Sequence, residues 1–265
     1  MLMAKDFKEY SIDFNFKRIV IVTDIHNCHL NWYNTPTEDR MELLCSSMKE
    51  ECEKRPFDAI LSLGDFSLDF WKYNVGGSYL WDPPISRTAE FVTEYRAKMP
   101  TEFLMIPGNH EQYGNETWEK ITGYPREYSV VWGDTVFVML DTFGGNLDPK
   151  ENHDGAYTGI NVDFVKSVLE RHSEKRIVLC AHDIIPKYES DEARDLIASE
   201  SRIACAFVGH THKNNVQLLG ADWRFFPLIY CGDFSYSDVR DKEKNWGYRT
   251  LEFNENGMST LYVKK

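Results

Sequence analysis

The order of apolar segments predicts an α/β layered fold. Strand-length runs rich in Val and Ile alternate with helix-like stretches, and each run is closed by a turn signal. The last quarter abandons that alternation for closely spaced strands, which predicts a second sheet or a mixed one. The 265 residues carry no repeat, low-complexity tract or linker, so one domain spanning 1–265 is expected.

Taken in order, residues 18–23 (RIVIVT), 58–63 (DAILSL), 102–106 (EFLMI), 135–140 (TVFVML), 176–181 (RIVLCA) and 203–208 (IACAFV) read as buried strands. Between the first two lies a helix. Thr35 is placed to cap it, Pro36 to take its first position and Glu38 to complete a capping box. Met41, Leu44, Cys45, Met48 and Cys52 then fall at helical spacing as one apolar stripe. Further helices are expected around 86–99, 161–172 and 191–200. Segments near 214–219, 223–230, 248–253 and 259–263 look like antiparallel strands, the last pair joined by Asn254-Glu255-Asn256-Gly257. Two stretches, 72–85 and 143–159, mix Gly and Pro with aromatic or charged residues; irregular loops of that length usually form functional rims.

Charge narrows the partners. Lys and Arg total 30 against 42 Asp and Glu, a net charge of −12, so a basic face for wrapping nucleic acid or lying on an anionic membrane is not expected. No apolar run approaches the roughly 20 residues of a membrane span, and the first residues lack the apolar core of a secretory signal. The six cysteines form no CxxC pair and several sit inside apolar runs, so a reduced, cytoplasmic protein is expected.

The chemistry lies at the ends of the strands. The runs end in Asp24-Ile25-His26, Gly64-Asp65, Gly108-Asn109-His110-Glu111, His182-Asp183 and Gly209-His210-Thr211-His212, which places five of the eight histidines just past strand ends. In α/β sheets the carboxyl ends lie along one edge, where ligands bind. Asp24 and His26, like His210 and His212, are two apart and would share a face in an extended segment. Asp24, His26, Asp65, Asn109, His182, His210 and His212 offer hard oxygens and imidazoles without thiolate, a set suited to Mn²⁺, Fe²⁺/Fe³⁺ or Zn²⁺. Seven donors exceed one ion and suit two that share a carboxylate. Two divalent ions would bring +4 against −2 from Asp24 and Asp65, leaving about +2 to hold a phosphate. Two such ions clamp an anion and acidify a water for in-line attack, so hydrolysis of a small phosphoester is the expected reaction.

These five blocks, in this order, resemble the calcineurin-like metallophosphoesterases over residues 18–212. The resemblance implies a four-layer α/β/β/α sandwich of the metallo-dependent phosphatase type, two mixed sheets flanked by helices. It assigns Asp24, His26, Asp65 and His212 to one metal and Asp65, Asn109, His182 and His210 to the other, with Asp65 bridging. It further implies attack by a metal-bridging hydroxide, with His110 either donating a proton to the leaving oxygen or binding the phosphoryl group. Many members place an Asp three residues after the bridging Asp to orient that His. Here Leu68 stands there, and Asp69, one further on, is the candidate partner of His110. The same place argues against the protein Ser/Thr phosphatases and the purple acid phosphatases, and Gly-Asp-x-x-x-Asp looks more like some bacterial cyclic-nucleotide phosphodiesterase-like members. A cyclic-nucleotide or nucleotide phosphodiesterase is therefore one alternative, and a catalytically silent metal-binding scaffold is another. Glu111 and Asp183 are candidates to orient ligating histidines. His29, Trp32, Tyr33 and Tyr113 are candidates to line an organic-group pocket, as are His153 and Tyr157.

Overall fold

Alternation along the strands sets the layers. A computed structural model describes residues 7–28, 30–70, 86–147, 154–236, 244–254 and 257–265. In chain order its strands and helices are β1 (Glu9–Ile12), β2 (Arg18–Val22), α1 (Thr37–Lys54), β3 (Ala59–Ser62), α2 (Arg87–Glu90), β4 (Glu102–Met105), α3 (Asn115–Thr122), β5 (Tyr128–Trp132), β6 (Thr135–Leu140), α4 (Val162–Arg171), β7 (Arg176–Ala181), α5 (Asp191–Ser199), β8 (Ile203–Val208), β9 (Val216–Leu218), β10 (Pro227–Tyr230), β11 (Gly247–Asn254) and β12 (Gly257–Lys264).

Two mixed sheets result. One has seven strands in the order β1-β5-β6-β7-β8-β10-β9, the other five in the order β12-β11-β2-β3-β4. Ile19 and Ile21 of β2, Leu61 of β3 and Leu104 of β4 point inward and meet Phe137, Met139, Val178, Cys180 and Phe207 from the larger sheet. The intervening residues point outward: Val20, Ile60 and Phe103 against Met41, Leu44 and Met48 of α1 and Trp118 of α3. On the other side Val136, Leu179 and Ala206 meet Phe164 and Val168 of α4 and Ile197 of α5. This is the four-layer α/β/β/α sandwich that the resemblance implies. Each fully buried Leu, Ile, Val, Met or Phe in these layers contributes roughly 1.5–3 kcal/mol.

Some local expectations are corrected. The capping box does not form: α1 starts at Thr37, Pro36 is its N-cap without a side-chain cap, and Thr37 Oγ1 instead donates to Leu30 O at 3.0 Å. The helix expected over 86–99 changes pitch, from α2 to a wide π turn at Phe91–Tyr95 and a tight 3₁₀ turn at Arg96–Lys98. Only the end of 223–230 is strand, and β10 runs parallel to β8 while pairing antiparallel with β9. The short α3 and strands β1 and β5 have no counterpart among the expected elements. Gly133-Asp134 forms the two-residue turn of the hairpin that pairs β5 antiparallel with β6. The 72–85 loop, His29, His153 and the Glu255-Asn256 turn centre lie outside the described residues.

Candidate metal centre

Five turns deliver the donor side chains. Asp24 and His26 follow β2, Asp65 follows β3, and Asn109 and His110 follow β4. His182 follows β7, and His210 and His212 follow β8. Both sheets therefore contribute to one edge. Asp24, His26, Asp65, His210 and His212 all have positive φ, from 47° to 60°. The paired residues thus converge from left-handed turns and not from the extended segments expected. Asp and His tolerate this region better than most side chains, yet such a residue still costs about 1–3 kcal/mol. Main-chain bonds hold the turns: Asp24 N–H donates to Gly64 O at 3.2 Å, His26 N–H to Asp65 O at 2.9 Å and Gly209 N–H to His182 O at 2.8 Å. Beside the donors only glycine fits at positions 64, 108 and 209. A side chain on Gly108 would collide with the Asp65 carboxylate, and one on Gly209 with Thr23 and Asp24.

Buried groups orient the donors. Glu111 accepts the backbone N–H groups of Asp65 (2.8 Å), Phe66 (2.9 Å), Ser67 (3.1 Å) and Gly108 (2.8 Å), so it fixes two donor turns and not, as expected, a histidine ring. Burial, with Asp65 adding to it, pushes the Glu111 carboxyl up to about 8, while those N–H donors pull it down. The rings are set by carbonyls instead. His182 Nδ1–H donates to Leu63 O at 2.7 Å and His212 Nδ1–H to Tyr236 O, which leaves each Nε2 to face the donor group. Asp183 turns back on its own main chain, accepting from Ile184 N–H.

The donors form two groups, Asp24 with His26 and His212, and Asp65 with His182 and His210. In the first, His212 Nε2 lies 3.1 Å and His26 Nε2 3.7 Å from Asp24 Oδ1. In the second, His182 Nε2 lies 3.1 Å from Asp65 Oδ2, and Asn109 Oδ1 lies 2.9 Å from His182 Nε2 and 3.0 Å from His210 Nδ1. Asp65 Oδ2 also stands 3.5 Å from His26 Nε2, between the groups. Donors sharing one cation at about 2.1 Å stand roughly 3–3.5 Å apart, and most of these separations fall there.

Satisfaction gives an independent test of fit. Both ring nitrogens of His26 are buried with no hydrogen-bond partner among the described residues, and Asp24 Oδ1 has only the His212 ring at 3.1 Å. Leaving such groups unmet costs about 1–3 kcal/mol each, and a cation meets them. Electrostatics agree. Burial alone would lower both His182 and His212, but Asp65 raises His182 to about 10 and Asp24 raises His212 to about 9. Burial lowers His26 to about 4 and, with His182 beside it, His210 to about 4. The carboxylates thus hold one proton in each group, where a cation would bring the charge. Divalent metal ions fit this donor set.

The groups border a cleft of about 180 Å³ lined by Asp65, Leu68, Asn109, His110, Asp154, His210, His212 and Tyr236. His110 Nε2 lies 3.8 Å from Asp65 Oδ2. Asp69 does not partner it. Its carboxylate accepts from Ser86 Oγ at 3.0 Å, Arg87 N–H at 3.0 Å, Thr88 N–H at 3.2 Å and the Tyr113 hydroxyl, so the start of α2 has taken it. The carboxylate facing His110 is Asp154, whose Oδ1 lies 3.6 Å from Nδ1. Of the aromatic candidates, Trp32 packs at a tilt against Tyr236, ring centroids 4.7 Å apart, beside the centre, Tyr113 is buried against Phe70, and Tyr157 bonds Glu189.

Sequence reasoning misses Asp154, Tyr236, Thr23 and Arg40. Thr23 Oγ1 donates to Asp24 Oδ2 at 2.7 Å. Arg40, fully buried, donates to the carbonyls of Ile25, Phe234 (2.7 Å) and His26 (2.7 Å), clamping the first donor turn to the segment that carries Tyr236. A signal exists for Arg40 alone: it stands four residues before Leu44, on the apolar stripe, where a solvated charge does not belong.

Solved structures share the fold. GAP50, the anchor in the inner membrane complex of Plasmodium, is 16% identical with a TM-score of 0.55, over 93% of this chain and 84% of its own. Purple acid phosphatase PPD1 from yellow lupin seeds is 14% identical with a TM-score of 0.56, over 94% of this chain and 51% of its own. None of the curated proteins matches. No helix among the described residues is long and apolar enough to cross a membrane. The calcineurin-like phosphoesterase family matches residues 17–214, the stretch that holds all five donor turns, and the chain belongs to that family.

Proposed function

We propose that this chain hydrolyses a small phosphoester at a two-metal centre, by direct attack of an activated water and without a covalent enzyme intermediate. One observation carries the reading: Asp65 Oδ2 stands 3.5 Å from His26 Nε2 and 3.1 Å from His182 Nε2, at the seam of two donor groups that open onto one cleft. Asp24, His26, Asp65 and His212 would hold one ion and Asp65, Asn109, His182 and His210 the other. Bound there, two divalent ions supply Lewis-acid charge for a phosphoryl group and acidify a water nucleophile. The protein's own residues do the rest. The buried donor turns fix the centre before substrate arrives, so little reorganisation accompanies reaction. His110, on the cleft and outside both donor groups, donates a proton from Nε2 to the departing oxygen. Leu68 and Tyr236 give the cleft an apolar and an aromatic wall for the organic part of the ester. The cleft volume suits a phosphoryl group with a slender substituent, in a monoester or a diester. The silent-scaffold alternative predicts that a donor or His110 is missing, and none is. The six cysteines, none paired with another, fit a reducing compartment such as the cytoplasm.

The test is elemental analysis of purified protein together with a screen of phosphomonoesters, cyclic nucleotides and linear diesters. Two equivalents of Mn, Fe or Zn with turnover of one ester class are expected. A metal-loaded protein inert on all three classes overturns the reading. Preference for cyclic nucleotides would make it the nucleotide phosphodiesterase.

A further inference from the structure

We propose that Asp154 is the positioning residue of this centre, in the place expected of Asp69: with one carboxylate oxygen it selects the orientation of the Asn109 amide and faces the Nδ1 edge of His110. The part concerning His110 rests on the hydrolase reading; the part concerning Asn109 rests only on the donor groups.

An Asn side chain has nearly the same shape either way round, and only its oxygen can bind a cation. Something must choose. Asn109 Nδ2 donates to Asp154 Oδ1 at 3.0 Å. Because an ionised carboxylate only accepts, the flipped amide would set oxygen against oxygen here and N–H groups against the ion. The observed choice leaves Asn109 Oδ1 at 2.9 Å from His182 Nε2 and 3.0 Å from His210 Nδ1, in the second donor group. The main chain holds Asp154 in place. Gly155 N–H donates to Asn109 O at 2.7 Å, and the loop is tied back by Gly145 N–H to Ala156 O at 3.3 Å and Thr158 N–H to Thr142 O at 2.9 Å. The same Asp154 Oδ1 stands 3.6 Å from His110 Nδ1, on the ring edge opposite Nε2, which lies 3.8 Å from Asp65 Oδ2. Asp69 cannot serve, being engaged by Ser86, Arg87, Thr88 and Tyr113.

The two tasks separate by substitution. Asp154→Asn keeps an oxygen that accepts from Asn109 Nδ2 but faces His110 without charge; Asp154→Ala removes both. About half of the Asp154 side chain is exposed, so neither change empties a core. Mn²⁺ titration calorimetry on the metal-free proteins reads the first task. Turnover of alkyl against nitrophenyl phosphoesters reads the second, because only the poor alkyl leaving group needs a proton. For Asp154→Ala we expect one of two Mn²⁺ sites weakened roughly 10–100-fold and the other unchanged. For Asp154→Asn we expect both sites kept and about a tenfold loss on alkyl esters alone. Asp69→Asn should lower the melting temperature and leave the alkyl-to-nitrophenyl ratio as in the wild type. Wild-type Mn²⁺ binding and leaving-group ratio in Asp154→Ala, or a changed ratio in Asp69→Asn, overturns the proposal. If the wild type hydrolyses no ester, the hydrolase reading fails, and the Mn²⁺ titration still decides whether Asp154 orients Asn109.

Discussion

The two donor groups are held by different means. Asp24 and His26 are completely buried, the His26 ring nitrogens have no hydrogen-bond partners among the described residues, and both residues are fixed by main-chain bonds over the Arg40 guanidinium. The first group reaches the cleft only through His212, the second through Asp65, Asn109 and His210. The second group's Asn109, His182 and His210 already lie within 3.3 Å of one another, and to the bond from His182 Nδ1 to Leu63 O it adds side-chain supports: Asp154 on Asn109, and the Phe143 ring 5.7 Å from His182 and 5.4 Å from His210. A group with unmet buried donors gains most from an ion. The first group should therefore bind the tighter ion and the second the exchangeable one that meets substrate, and Asp65 is where the two plans join.

The strongest way to break this contrast is to remove the join. Asp65→Asn should lower kcat/KM by roughly 10³-fold or more and cost both ions affinity, as elemental analysis and steady-state kinetics would show. Loss of one ion with the other at full affinity would mean that Asp65 is not shared. Next in size is His110→Ala, expected to retain two metal equivalents while losing about 10²–10⁴-fold in turnover of alkyl esters. Unchanged kcat on those esters would remove the proton-donor role.

Arg40→Met sharpens the contrast. Three buried carbonyls lose their donor, so stability should fall by about 3 kcal/mol in denaturant melts, with the tighter Mn²⁺ site weakened more than the other. Equal weakening of both would show that the clamp does not distinguish them. The smallest effect concerns pH. Without metal, His182 titrates near 10 and His212 near 9, so each group carries a proton at neutral pH that a cation must expel. Raising the pH removes that competition. Mn²⁺ affinity should rise about tenfold per pH unit for each proton expelled, until His212 and then His182 lose theirs. Calorimetry in buffers of different ionisation enthalpy would detect the released protons; their absence would mean that neutral rings wait in both groups.

The layers and the seven donors are legible in the sequence because each donor stands directly after an apolar run long enough to be a strand, and a strand end has a known place in a layered sheet. The hidden features are of another kind. Asp154 reaches Asn109 through the fold of a long loop, and nothing in its neighbours announces the partner. Asp69 looks right by spacing, but Ser86, Arg87 and Thr88 lie seventeen to nineteen residues on, and their claim on its carboxylate exists only once α2 is docked. The left-handed φ of Asp24, His26, Asp65, His210 and His212 is likewise a demand of the centre and not of local propensity.

Anomalous diffraction from crystals soaked in Mn²⁺ tests the two-cation centre most directly. Two peaks are expected on either side of the Asp65 carboxylate, one contacted by Asp24, His26 and His212 and the other by Asn109, His182 and His210. A single peak at saturating Mn²⁺, or peaks away from these side chains, would contradict it.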